Sequence, residues 1–235
     1  MFKRFFAVSI AVLATAGLAG AGDLYIYTGA GGLSAEAEFT LLDATTLEVR
    51  IRNTSTGAPA GFDNSDQILT GISWDFGSPG FNGDPMITSG FVVMGAASNS
   101  VNFDTGSYGP GFDVSGEYGY GNMDGTGALT NFVSANEALA TPFGGANLDS
   151  TVEIDGPQAG LVASPPVIAL GGLGAIEDEV IATLTLSDPT DLGFLAANGT
   201  LAEWGSDAAF ATGVLIPEPA SVLLLAFGGL LLRRR

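Results

Sequence analysis

SAEAEFTLLDATTLEVRIRNTS, residues 34–55, is the stretch whose reading decides the fold. In its first half Ala35, Ala37, Phe39 and Leu41 alternate with Glu36, Glu38 and Thr40. In its second half Leu47, Val49 and Ile51 alternate with Glu48, Arg50 and Arg52. A period of two puts one set of side chains on a buried face and the other in water, the signature of a half-buried strand. Asp43 to Thr45 has the chemistry of a turn, so the two halves read as a β-hairpin. Arg50 and Arg52 then meet Glu36 and Glu38 as opposite charges on the wet face. A ligand-binding role for the two arginines is the sharper alternative, and structural pairing the simpler one.

Outward from the hairpin, further strands are expected at residues 24–28, 67–76, 90–95, 100–104, 129–134, 151–154, 180–187, 201–204 and 210–215. Gly, Asn, Asp and Pro punctuate them, and no segment between residues 22 and 215 sustains a helical period. Residues 136–143 allow one short helical turn before Pro142. The expected fold is all-β: a single β-sandwich domain, Greek-key or jelly-roll-like, over residues 22–215. A glycine- and tyrosine-rich stretch interrupts it, in which Tyr108, Phe112, Tyr118 and Tyr120 either close one end of the core or form a sugar-stacking platform.

Composition excludes several kinds of chemistry. The chain has no histidine and no cysteine, hence no imidazole base, no thiol nucleophile, no disulfide framework and no thiolate zinc site. Of its 25 acidic residues only Glu218 lies outside residues 23–216, so that stretch sets 24 carboxylates against Arg50 and Arg52. Such a surface repels phosphate backbones, and no nucleic acid partner is expected. Carboxylate chemistry stays open, because a glycosidase needs only two carboxylates across a cleft.

The termini have a different character. Lys3 and Arg4, an apolar run over residues 5–18, and Ala19-Gly20-Ala21 follow the order of a secretory signal peptide, with cleavage after Ala21. At the other end, Pro217-Glu218-Pro219 precedes an apolar run over residues 220–232 and then Arg233, Arg234 and Arg235. As a helix these thirteen residues span roughly 20 Å against a bilayer core of about 30 Å, a short anchor with a cytoplasmic arginine stop. Export machinery and the membrane, the latter through the C-terminal helix before processing, are the partners these segments imply.

The tail resembles the PEP-CTERM sorting signal of exported bacterial proteins, in which Pro-Glu-Pro, an apolar helix and terminal arginines occur in this order. The resemblance covers about twenty residues. It implies recognition of Pro217, Glu218 and Pro219 by an exosortase, anchoring through residues 220–232, and a stop at the arginines. It further implies a Gram-negative envelope or extracellular location with exopolysaccharide nearby. The expected organisation is a signal peptide at 1–21, an exported domain at 22–215 and a sorting signal at 216–235, with a helix at each flank of the β domain.

Three acidic clusters suit a hard cation such as calcium: Asp63 and Asp66 with Asn64; Asp149, Glu153 and Asp155; and Glu177 to Glu179. None has EF-hand spacing, and solvated turn carboxylates are the simpler reading, so no cofactor is expected and calcium is the alternative. The leading functional expectation is a non-enzymatic envelope or extracellular-matrix protein sorted by exosortase. A calcium-assisted carbohydrate-binding or adhesive module is the alternative, and a secreted glycan hydrolase or lyase ranks third.

Overall fold

The structure, a computed structural model, describes residues 22–55, 68–76, 85–102, 106–121, 129, 131–135, 146–147, 160–164, 174–205 and 209–217. The hairpin of residues 34–55 forms as the alternation predicts. Strand β1 (Asp23–Thr28) precedes β2 (Ser34–Asp43) and β3 (Thr46–Asn53). Ala35, Ala37, Phe39, Leu47, Val49 and Ile51 are all buried, while Glu36, Glu38, Arg50 and Arg52 face outward. Asp43 ties the turn: its carboxylate accepts the Thr45 backbone N–H at 2.8 Å and the Thr46 hydroxyl at 2.9 Å. These hydrogen bonds, that from the Thr45 backbone foremost, hold the Asp43 carboxyl below its usual pKa.

The chain continues through β4 (Leu69–Trp74), β5 (Ile87–Met94), β6 (Asn99–Val101), β7 (Gly119–Gly121), β8 (Asn131–Ser134) and β9 (Ala146–Asn147). It closes with β10 (Leu161–Val162), β11 (Ala175–Glu177), β12 (Glu179–Leu186), β13 (Thr200–Trp204) and β14 (Ala209–Ile216). All fourteen belong to one sheet, ordered β5-β12-β3-β2-β1-β14-β13-β4-β10-β11-β6, with β8 also on β4 and β7 bridging β8 to β9. The two ends of this path lie on the same stretches of chain. β11 passes into β12 through Asp178, whose φ of 76° makes the corner, and β6 follows β5 after a short turn. The molecule is therefore all-β, one large sheet nearly closed as a barrel. The free edge of β5 is covered as well, since Val114 donates to Val92 O and Met94 to Phe112 O.

The interior is filled, not open. Phe39 on β2 meets Trp74 on β4 edge to face, with ring centroids 5.5 Å apart, although three strands separate β2 from β4 along the sheet. Tyr25 packs on the other side of Phe39 at 5.6 Å, and Phe76 lies against Trp74 at 6.4 Å. This aromatic chain spans the barrel and joins its walls.

One helix, α1 (Gly193–Asn198), is absent from the expectation drawn from periodicity. It is too short to show a period. The Asp191 carboxylate accepts the Gly193 N–H at 2.8 Å, Leu195 anchors it in the core, and Gly199 at φ 95° ends it. The expected strand at residues 151–154 and the turn at 136–143 lie outside the described residues. Four short strands, β7, β9, β10 and β11, were not among those expected.

A row of inward residues crosses β1, β14 and β13 at one end of the barrel. The Tyr27 hydroxyl donates to Thr200 Oγ1 at 2.8 Å across Gly213, where a Cβ would collide with both the tyrosine ring and that hydroxyl. Gly213→Ala is accordingly expected to cost about 1–3 kcal/mol through overpacking, read as a lower denaturant midpoint. Gly109→Ala, with open space around its Cα, is the matched control.

Burial raises the phenol pKa of Tyr25 to about 12, with the Asp23 charge adding to the effect. Tyr27 and Tyr118 move further in the same direction, again chiefly through burial. Because these folded values lie above the unfolded value of 10.0, the folded chain holds its phenolic protons more tightly. The resulting stability is fully present below the unfolded pKa and is lost as pH rises through the folded values. The expected outcome is a fluorescence-monitored unfolding free energy that falls steeply from about pH 10 upward, with phenol ionisation tracking unfolding.

Candidate functional site

Arg50 and Arg52, the only cations among the described residues, stand two apart on the outer face of β3. On one side β2 places Glu36 opposite Arg52 and Glu38 opposite Arg50. This is the register expected from the sequence, yet the Arg52 to Glu36 contact is long, at 3.9 Å. On the other side β12 places Glu179 opposite Arg52. Arg52 Nη2 donates to Glu179 Oε2 at 2.8 Å, Arg52 Nε lies 3.5 Å from Asp178 Oδ1, and Arg50 Nε lies 3.7 Å from Glu179 Oε2.

The principal partner of the arginines is thus Glu179, not the hairpin glutamates. Glu179 is 4% exposed, whereas Arg50 and Arg52 keep about two fifths of their side chains in water. Neighbouring groups pin it there. Its backbone carbonyl accepts the Ser98 hydroxyl at 2.7 Å and the Gly95 N–H at 2.9 Å. Gly95 leaves room for the side chain, because a Cβ at that position would meet the Glu179 carboxylate. A half-exposed guanidinium over a buried carboxylate is a lid on a desolvated charge, an arrangement that is costly to break.

Around this pair lies a hollow of about 240 Å³ lined by Leu24, Glu36, Glu38, Arg50, Arg52 and Glu179. It offers guanidinium donors, carboxylate acceptors and one apolar wall. Such a set can hydrogen-bond a neutral polyhydroxylated ligand.

The other residues singled out in the sequence fare differently. Glu177 accepts the Ser164 hydroxyl at 2.8 Å while Asp178 and Glu179 serve Arg52, so this acidic triplet is divided among protein partners. Among the described residues no group of three or more acidic side chains is arranged to hold a metal ion. Asp63, Asp66, Asp149, Glu153 and Asp155 lie outside the described residues, as do Ala19, Ala21, Glu218, Pro219, Arg233, Arg234 and Arg235. Pro217 is exposed, one residue beyond β14. Among the described residues no helix is long and apolar enough to cross a membrane.

The four aromatics do not assemble into a platform. Tyr118 is buried, and the Tyr120 hydroxyl donates to Thr88 O at 2.9 Å. Tyr108 and Phe112 stack on each other at 4.1 Å and pack against the core. Asn53, which carries a glycosylation sequon, is buried and donates from Nδ2 to Leu161 O at 2.7 Å, a structural post.

Comparison of the chain with models of protein families, with characterised proteins and with solved structures finds no match.

Proposed function

We propose that the chain is a non-enzymatic exported protein of the cell envelope or extracellular matrix, sorted by an exosortase through its tail and associated with exopolysaccharide. The observation that carries this reading is the fixed order of Pro217-Glu218-Pro219, the apolar run 220–232 and Arg233 to Arg235. Pro217 is exposed immediately after β14, which is compatible with recognition of the motif by another protein. The lack of histidine and cysteine supports a role without catalysis. In this reading the barrel-like body is a flattened β-sandwich of Greek-key or jelly-roll kind. A signal helix at 1–21 and an apolar helix within 216–235 flank it, the latter holding the protein in the inner membrane until it is processed.

The hollow beside Arg50 and Glu38 favours a second reading, a carbohydrate-binding surface module. Its donors, acceptors and Leu24 wall suit sugar hydroxyls and a sugar CH face.

A double substitution, Pro217→Ala with Pro219→Ala, tests the sorting role. Expression in an exosortase-bearing host is expected to leave the variant unprocessed in the inner membrane while the parent chain leaves it. Equal release of both chains counts against the motif.

A further inference from the structure

Glu38 is the carboxylate that the two arginines leave over. Arg52 is shared among Glu36, Asp178 and Glu179, and Arg50 reaches Glu179 at 3.7 Å. Glu38 stands opposite Arg50 in the register of β2 and β3, yet among the described residues no cation lies within ion-pair distance of it. The hollow is therefore lined by the carboxylates of Glu36, Glu38 and Glu179 against only two guanidiniums.

The backbone of Gly22 lies against that carboxylate. Gly22 immediately precedes β1, and Leu24, two residues on, stands opposite Glu38. A Cβ on Gly22 would fall 2.9 Å from Glu38 Oε1 and would also collide with the Thr40 hydroxyl, so glycine is what allows this approach. The Gly22 nitrogen is one bond of about 1.5 Å from the same Cα, a short swing from both oxygens. In the uncleaved chain this nitrogen is a neutral amide. Hydrolysis after Ala21 adds water across the Ala21–Gly22 bond: the oxygen goes to the Ala21 carboxylate, and the nitrogen takes up protons to become an α-ammonium. Lys3, the only lysine, leaves with residues 1–21, so this ammonium is the sole primary amine of the processed chain. It is also the third cation of residues 22–216, beside Arg50 and Arg52.

We propose that cleavage after Ala21 completes the hollow: the new α-ammonium of Gly22 pairs with Glu38, and Thr40 Oγ1 is its second acceptor. The inference rests on the signal peptide proposed at 1–21. Three carboxylates then meet three cations, and the lining is neutral, as suits the uncharged polyhydroxylated ligand of the carbohydrate-binding reading. Among the described residues, the ionisable groups around the ammonium are Asp23 next in the chain, Glu38 on β2, and Arg50 and Glu48 on β3. The neighbouring end of β14, Val214 to Ile216, adds none. Carboxylates predominate, so the charged form of the amine is favoured.

Two measurements test this. The first is the N-terminal sequence of the chain recovered from the envelope of an exporting host. A start at Gly22 is expected; a start elsewhere, or retention of Met1, overturns the cleavage site and the inference with it. The second takes the chain 22–235 in detergent, released from a fusion by a protease that leaves Gly22 first, and follows acylation of its single amine by acetic anhydride against pH. The expected midpoint of reactivity lies at higher pH in the folded chain than in the same chain unfolded in urea, which makes acylation several-fold slower at about pH 8. Glu38→Gln is expected to return the midpoint to the unfolded value, and Glu48→Gln, one strand further away, to leave it displaced. Equal midpoints in the folded and unfolded parent, or a displacement that Glu38→Gln does not move, overturn the pairing and leave the signal peptide standing. Should Glu38→Gln not fold, concentrated salt takes its place: the displaced midpoint of an ion pair relaxes toward the unfolded value, and a midpoint that salt does not move overturns the pairing.

Discussion

Replacing Arg52 by alanine is expected to lower stability by about 3 kcal/mol, the range for stripping the partner from a buried charge. For a domain of this size that corresponds to a melting temperature lower by roughly 6–12 °C. The loss comes from what remains behind. Glu179, 4% exposed, loses the 2.8 Å hydrogen bond from Nη2 and keeps only Arg50 at 3.7 Å, while Asp178 loses its cation altogether. Glu36→Ala removes only a 3.9 Å contact between partly exposed groups and is expected to change stability by less than about 1 kcal/mol. Arg52→Lys keeps the charge without the planar fork and is expected to fall between the two. Thermal melts followed by circular dichroism separate the three. An Arg52→Ala protein that melts with the parent chain would leave the guanidinium free for a ligand and would favour the carbohydrate-binding reading.

Phe39→Ala is expected to cost more, about 3–5 kcal/mol, because it removes a large aromatic from a site that cannot collapse. Phe39 is fully buried between Tyr25 at 5.6 Å and Trp74 at 5.5 Å. Trp74 belongs to a strand on the far side of the barrel, so the substitution loosens wall from wall and not merely one strand from its neighbour. Total stabilities of about 5–15 kcal/mol put such a loss within reach of unfolding at growth temperature. Urea titration by tryptophan fluorescence is the check, since Trp74 and Trp204 both report on this interior. A midpoint unchanged within error would mean that the walls are held together by something other than this aromatic chain.

The all-β class was legible because it is written locally. Alternation in residues 34–55 identified both strands, the buried set and the turn, and Asp43 supplied the turn chemistry itself. The residues facing each other across that hairpin also followed from a single short loop. What was not legible is what lies next to the hairpin. Glu179 pairs with Arg52 across 127 residues of sequence, and nothing in the acidic triplet at 177–179 indicates that one carboxylate goes to Ser164 and two go to an arginine. Sheet closure has the same origin. It depends on the corner at Asp178 and on the added pairing of residues 111–114 along β5, both of which are tertiary choices. The two- and three-residue strands β7, β9, β10 and β11 escaped because a period of two needs more residues to show itself. The hollow near Leu24 was half legible, since its arginines and hairpin glutamates stood out by charge while Leu24 and Glu179 reach it only through the pairing of β1 and β12.

Under the proposed sorting role, the tail from Pro217 onward is an address that is removed once read. The intact mass of the protein recovered from the envelope and medium of an exosortase-bearing host, set beside that from a strain lacking the enzyme, tests this most directly. The expected result is a species ending near Pro217 only where the enzyme is present, and a full-length tail confined to the inner membrane where it is absent. A full-length tail in both strains would contradict it and leave residues 220–232 as a plain anchor.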